Sequence, residues 1–120
     1  MVSINIFNRI DKTVSFSAGE VIFEVGQPGD VMYAVLDGEV DIIVNKKTME
    51  TLKAGDILGE MSLIDNHIRS ATAVAKADCK LAVIDQKQFS FLVQQTPFFA
   101  IEVMQVMANR IRNMDKLIGD

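Results

Sequence analysis

Between about residues 13 and 84 the apolar positions come in short runs, broken by glycines and polar clusters. Ile22 and Phe23 centre one predicted strand. Val31 to Leu36 and Glu39 to Val44 read as two more, joined by Asp37-Gly38, a dipeptide suited to a two-residue hairpin because both of its positions must take positive φ. A polar turn, Asn45-Lys46-Lys47-Thr48, follows, and Ala71 to Ala77 with Cys79 to Ile84 form a further strand pair. Short strands at this spacing predict a β-barrel or double-sheet roll.

The period changes at Asp85. Asp85 followed three positions later by Gln88 has the form of a capping box, and Phe89, Phe91, Leu92 and Val93 supply apolar mass to the helix it opens. Thr96-Pro97 restarts the chain, Thr as N-cap and Pro at the first helical position. This last helix is predicted to run to about Ile118, with Gly119 as its stop. Ala100, Met104, Met107, Ile111, Met114 and Ile118 alternate in steps of four and three, the spacing of a coiled-coil seam. Phe99, Val103 and Val106 widen the apolar face in the first half only; Arg110 and Asn113 take the corresponding places later. A wide face suits packing on a barrel and a narrow seam suits a partner helix, which makes a homodimer through this helix one expectation and a helix folded along its own barrel the other.

The 120 residues have the size of one domain, and no repeat, linker or low-complexity tract divides residues 1–120. A net charge of −4 argues against a direct nucleic-acid-binding surface. The N-terminus shows no basic region followed by an apolar stretch, and no apolar run approaches the ~20 residues of a membrane span. No signal peptide and no membrane association are therefore expected, and the cytoplasm is the default compartment. The single cysteine, Cys79, excludes a disulfide within the chain and reads as a buried core thiol. The single histidine, His67, reads as an exposed loop residue; it cannot supply a metal set even with Asp65, and no Ser or Cys stands out as its nucleophilic partner. A non-enzymatic protein is expected.

The most informative chemistry lies in Gly59-Glu60-Met61-Ser62-Leu63-Ile64-Asp65-Asn66-His67-Ile68-Arg69-Ser70-Ala71-Thr72. Arg69 sits in apolar, strand-rich surroundings, and a buried arginine needs an anion. Gly59 beside a short helical start lets backbone N–H groups approach that same anion. Glu60 can accept hydrogen bonds from hydroxyls but would repel a phosphate. A sugar phosphate with one free hydroxyl meets all three demands. The structural alternatives are a salt bridge from Arg69 to Asp65, Asp56 or Glu60, a surface Glu60 favoured by a helix dipole, and a tight turn at Gly59 that holds no ligand.

The same segment resembles the phosphate-binding cassette of the cyclic nucleotide-binding domain family, through Gly59, Glu60, Ser62, Arg69, Ser70 and Ala71 and the Glu-to-Arg spacing. A second block, Ala18 to Val40, places Gly19, Gly26, Pro28, Gly29, Asp30 and Gly38 where that family has its barrel turns. Ile68 replaces the family's usual proline before the arginine, Asn66-His67 stands where a glycine-containing turn is common, and the family's N-terminal helices look absent, since Val2-Ser3-Ile4-Asn5-Ile6 is only a short alternating stretch. The resemblance implies a mainly β fold with C-terminal helices: a double-stranded β-helix (jelly-roll) barrel over about residues 13–84 and a helical segment over about 85–118. It implies a sensor of cyclic AMP or cyclic GMP, needing no cofactor, with Arg69 on the phosphate, Gly59 and Ser62 donating to it, Glu60 on the ribose hydroxyl, Ser70 beside base or phosphate, and Met61 completing the ligand-binding set. The alternative is a binding-silent barrel acting as a structural or protein-interaction module.

Overall fold

The computed structural model describes residues 4–65 and 68–118. A single helical turn, α1 (Ile4–Phe7), precedes strands β1 (Thr13–Phe16), β2 (Val21–Phe23), β3 (Val31–Asp37), β4 (Val40–Val44), β5 (Lys47–Leu52) and β6 (Ile57–Leu58). Then come the short helix α2 (Glu60–Ile64), strands β7 (Thr72–Ala75) and β8 (Cys79–Asp85), and helices α3 (Gln86–Gln95) and α4 (Phe98–Ile118).

The strands form two four-stranded antiparallel sheets, ordered β1-β8-β3-β6 and β2-β7-β4-β5. Consecutive strands mostly alternate between sheets, as in a jelly roll. Val40, Ile42 and Val44 point inward at alternate positions of β4 and meet Val35, Leu58 and Leu81 from the opposite sheet. The outer face of the first sheet is buried in turn: Met32, Ala34, Ile57, Ala82 and Ile84 pack against Phe7, Leu63, Leu92, Phe99 and Val103 of the helices. Coverage on both faces explains why β8 reads as a continuous apolar run rather than an alternating one. Cys79 is buried as expected, and desolvation raises its thiol pKa.

Several local expectations are corrected. Asp37-Gly38 does not close a hairpin, because β3 and β4 belong to different sheets. Gly38 has the expected positive φ of 87°, but it turns a corner between sheets, where a Cβ would collide with the Asp78 carbonyl. The two-residue hairpin is Asn45-Lys46, with φ 55° and 65°, joining β4 to β5 across the pair Val44 and Lys47. The strand after it, β5, was hidden by its polar sequence. Likewise β7 and β8 do not pair: β7 lies between β2 and β4, and β8 between β1 and β3. The N-terminal stretch is helical over Ile4–Phe7 rather than alternating, and Phe7 is fully buried, its ring 5.9 Å from that of Phe99 in an edge-on arrangement. Val2 and Ser3 lie outside the described residues.

The helical punctuation follows the sequence. Gln88 N donates to Asp85 Oδ1 at 2.8 Å and Asp85 N to Gln88 Oε1 at 3.1 Å, the reciprocal capping box. Phe99 N and Ala100 N donate to the carbonyls of Thr96 and Pro97, so the first turn of α4 begins at the expected place. Gly119 lies outside the described residues. Along α4, Phe99 and Val103 are buried and Val106 and Met107 pack beside them, as the wide first face predicted. The second half departs from expectation. Met114 turns onto the barrel cluster instead of joining a free seam, and Arg110 is buried and extends the barrel-facing row.

Candidate functional site

After β6 the backbone of Gly59 takes φ 79°, a left-handed conformation that a side chain would strain, and turns the chain into α2. The chain then returns along the β2–β3 turn. Ile68 bridges Pro28, Arg69 N donates to the Gln27 carbonyl at 2.8 Å, and Gly26 N donates to the Arg69 carbonyl at 2.9 Å. This clamp directs the Arg69 side chain back under α2. Asn66 and His67, on the connection, lie outside the described residues.

Arg69 is 4 % exposed. Its Nη1 donates to the Val31 carbonyl at 2.8 Å, the Gly59 carbonyl at 3.2 Å and Ser62 Oγ at 2.6 Å. Its guanidinium carbon stands 4.2 Å from the centre of the Phe23 ring, in cation–π range. Its Nε is buried without a hydrogen-bond partner. No carboxylate among the described residues forms an ion pair with it; the described ion pairs belong to Arg110. Desolvation therefore lowers the Arg69 pKa, opposed only partly by the more distant charges of Tyr33, Asp30 and Glu60. The salt-bridge alternative for Arg69 is not what the fold builds: the arginine is a buried cation with part of its fork unused.

Glu60 is 2 % exposed, and its Oε1 accepts from Arg110 Nη1 at 2.5 Å. Arg110 Nε donates to Glu50 Oε1 at 3.0 Å, and its Nη2 to the Ile57 carbonyl at 2.5 Å. Burial pushes the Arg110 pKa down, but the charges of Glu60 and Glu50 outweigh it, so the net shift is upward. Two buried arginines thus flank one helical turn with opposite shifts, one neutralised by protein and one not. Neither Arg110 nor Glu50 was singled out from the sequence as a site residue. The available signal was Arg110 falling in the row Phe99, Val103, Val106: a charge in line with a core face calls for a buried partner.

The cleft between the sheets and α4 is lined by Gly59, Glu60, Met61, Ser62, Arg69 and Ser70, all six residues expected from the sequence. Phe23, Ile42, Met49 and Leu58 add an apolar wall, and Arg110 and Met114 of α4 close the far side. Ser70 is exposed at the mouth, its hydroxyl 3.4 Å from Met61 Sδ. The cleft has a free volume of about 30 Å³. The arrangement offers a cationic end at Arg69, a carboxylate at Glu60 and an apolar slot beyond: groups for a phosphate, a hydroxyl and a flat ring.

Known proteins share this sequence pattern and fold. The family model for the cyclic nucleotide-binding domain matches residues 13–96. A cAMP-dependent protein kinase regulatory subunit of Schizosaccharomyces pombe is 34% identical over 110 residues, 91% of this chain and 26% of that protein. The cyclic AMP receptor protein of Thermus thermophilus is 31% identical over 105 residues, 83% of this chain and 49% of that one. The chain thus spans half or less of the length of these relatives. Among solved structures, PKAR CBD2 bound to Sp-2Cl-cAMPS superposes with a TM-score of 0.80 at 27% identity, covering 95% of this chain and 84% of that one. The Thermus thermophilus catabolite activator protein gives a TM-score of 0.77 at 28% identity, over 96% of this chain and 56% of that one. With the cassette residues gathered around one cleft and the family model matching across both sheets and into α3, this chain belongs to the cyclic nucleotide-binding domain family.

Proposed function

We propose that this chain is a non-enzymatic regulatory module that binds cyclic AMP or cyclic GMP in the cleft. The reading rests above all on Arg69, a buried guanidinium with no anionic partner among the described residues and an unpartnered Nε beside the cleft. A cyclic phosphate supplies that anion and matches the planar fork. The ribose 2′-hydroxyl is assigned to Glu60, the phosphate also to Gly59 and Ser62, and the base to the apolar slot with Met61 and Ser70 at its edge. The presence of protein kinase regulatory subunits and cyclic AMP receptor proteins among the relatives supports the regulatory role.

The second reading, a binding-silent barrel, is favoured by one observation: the cleft, with Arg110 and Met114 of α4 in its lining, has a free volume of only about 30 Å³. Under the leading reading a purine enters only when Met114 and the C-terminal half of α4 give way. Ligand then selects an open placement of α4 over the closed one, to the extent that it binds the open one better. Calorimetric titration of the chain with each nucleotide separates the readings. Saturable heat with either supports the sensor, and no heat with both at millimolar concentration supports the silent barrel.

Self-association is proposed for the remaining free face of α4. Met104 and Ile111 are 55 % and 51 % exposed, and Ile101 flanks them. No described helix is long and apolar enough to cross a membrane. A cytoplasmic location without direct nucleic-acid contact completes the proposal and rests on the composition and net charge of −4.

A further inference from the structure

We propose that Gly29 is a positioning residue for Arg69, keeping the ligand-directed half of the guanidinium in place. This rests on the reading of Arg69 as the phosphate contact. Gly29 lies in the β2–β3 turn, directly after Pro28, whose backbone bridges Ile68. A Cβ built on Gly29 would fall inside the guanidinium, against Nε, Cζ and Nη2. Nη1, on the other side, carries all three hydrogen bonds that the described residues make to this group. Gly29 therefore sits against the half of the fork that the protein leaves unbonded.

The backbone gives no other reason for glycine here. Gly19, Gly26, Gly38, Gly55 and Gly59 all take positive φ, whereas Gly29 does not. Alanine at position 29 is compatible with the main chain, so its cost falls on the arginine. The guanidinium must tilt or leave, and Phe23 beneath it and the three Nη1 acceptors leave it no equivalent seat.

The test uses the ligand-free full chain labelled with 15N, and then cyclic AMP. Loss of one Nε–Hε resonance in Arg69→Ala assigns that signal, and its burial makes it exchange slowly with solvent in the wild type. In Gly29→Ala the signal should shift or broaden through faster exchange, with the amide spectrum of the sheets retained. Cyclic AMP affinity should fall roughly ten- to a hundred-fold, the range for losing one hydrogen bond to a charged group. In an Arg69→Lys background, which lacks the crowded half of the fork, Gly29→Ala should cost little further affinity. An unmoved Nε–Hε signal, or the same loss of affinity in both backgrounds, overturns the proposal. A wild type that binds neither nucleotide, with the Arg69 signal still displaced in Gly29→Ala, removes the phosphate reading while upholding the placement of Gly29.

Discussion

Arg110 of α4 reaches Glu60 at the start of α2 with a 2.5 Å contact between Nη1 and Oε1, and both side chains are buried. The pair ties the C-terminal helix to the cassette through one carboxylate. The same carboxylate is the group assigned to the ribose. Under that assignment ligand and helix would meet at one side chain, and a hydroxyl hydrogen bond to Glu60 would form next to the contact that holds α4 down.

Arg110→Met should destabilise the chain by about 3–5 kcal/mol, the cost of leaving one buried charge of a pair uncompensated. Glu50 can relax toward solvent, since its side chain is 35% exposed, but Glu60 cannot, at 3%. Adding Glu60→Gln to Arg110→Met should recover part of the loss. Urea unfolding of the three proteins checks this; a single variant as stable as wild type would show that Glu60 finds another partner.

Arg69→Gln should strongly weaken cyclic nucleotide binding while leaving a folded protein. Losing one side of a buried charged contact costs roughly 2–5 kcal/mol, or about thirty- to several-thousand-fold in affinity. In the wild type, ligand at a hundred times its dissociation constant should raise stability by about 2.7 kcal/mol, and the same concentration should raise that of the variant by less than about 1 kcal/mol. Thermal melts with and without nucleotide report both. An unchanged dissociation constant takes the phosphate role away from Arg69.

Glu60→Gln should narrow the discrimination between cyclic AMP and its 2′-deoxy analogue. A hydrogen bond to a charged acceptor is worth about 1.5–3 kcal/mol, against about 1 for a neutral one. The variant also loses the charge that faces Arg110, so its melting temperature should fall. Equal weakening of both ligands would confine Glu60 to the structural pair.

Ile111→Glu should abolish self-association and leave the melting temperature of the monomer nearly unchanged. Ile111 is half exposed and lies outside both core clusters, so the carboxylate meets water in the isolated chain and its own copy across a two-fold contact. Met114→Glu should instead cost stability, because Met114 packs on the barrel. Sedimentation of each variant beside the wild type decides, and a monomeric wild type retires the seam.

What the sequence determined by itself was whatever is encoded locally. The capping box of Asp85 and Gln88, the restart at Thr96-Pro97 and the change of period at residue 85 each involve partners within four positions, and each stands in the structure. The residues assigned to the cassette, Gly59, Glu60, Ser62, Arg69 and Ser70, fall in one short segment, and the fold keeps them around one cleft. Strand partners were not legible. A corner glycine and a hairpin glycine both ask for positive φ, so Gly38 could not reveal that β3 and β4 enter different sheets, and the half-exposed β5 has too little apolar alternation to announce itself. Only the tertiary structure decided which of two buried arginines is neutralised. Glu60 is nine positions from Arg69 and fifty from Arg110, yet it pairs with the distant one, because α4 folds back across the barrel and presents Arg110 between Glu50 and Glu60. That choice leaves Arg69 without an ion-pair partner among the described residues, the physical condition on which the proposed anion site rests.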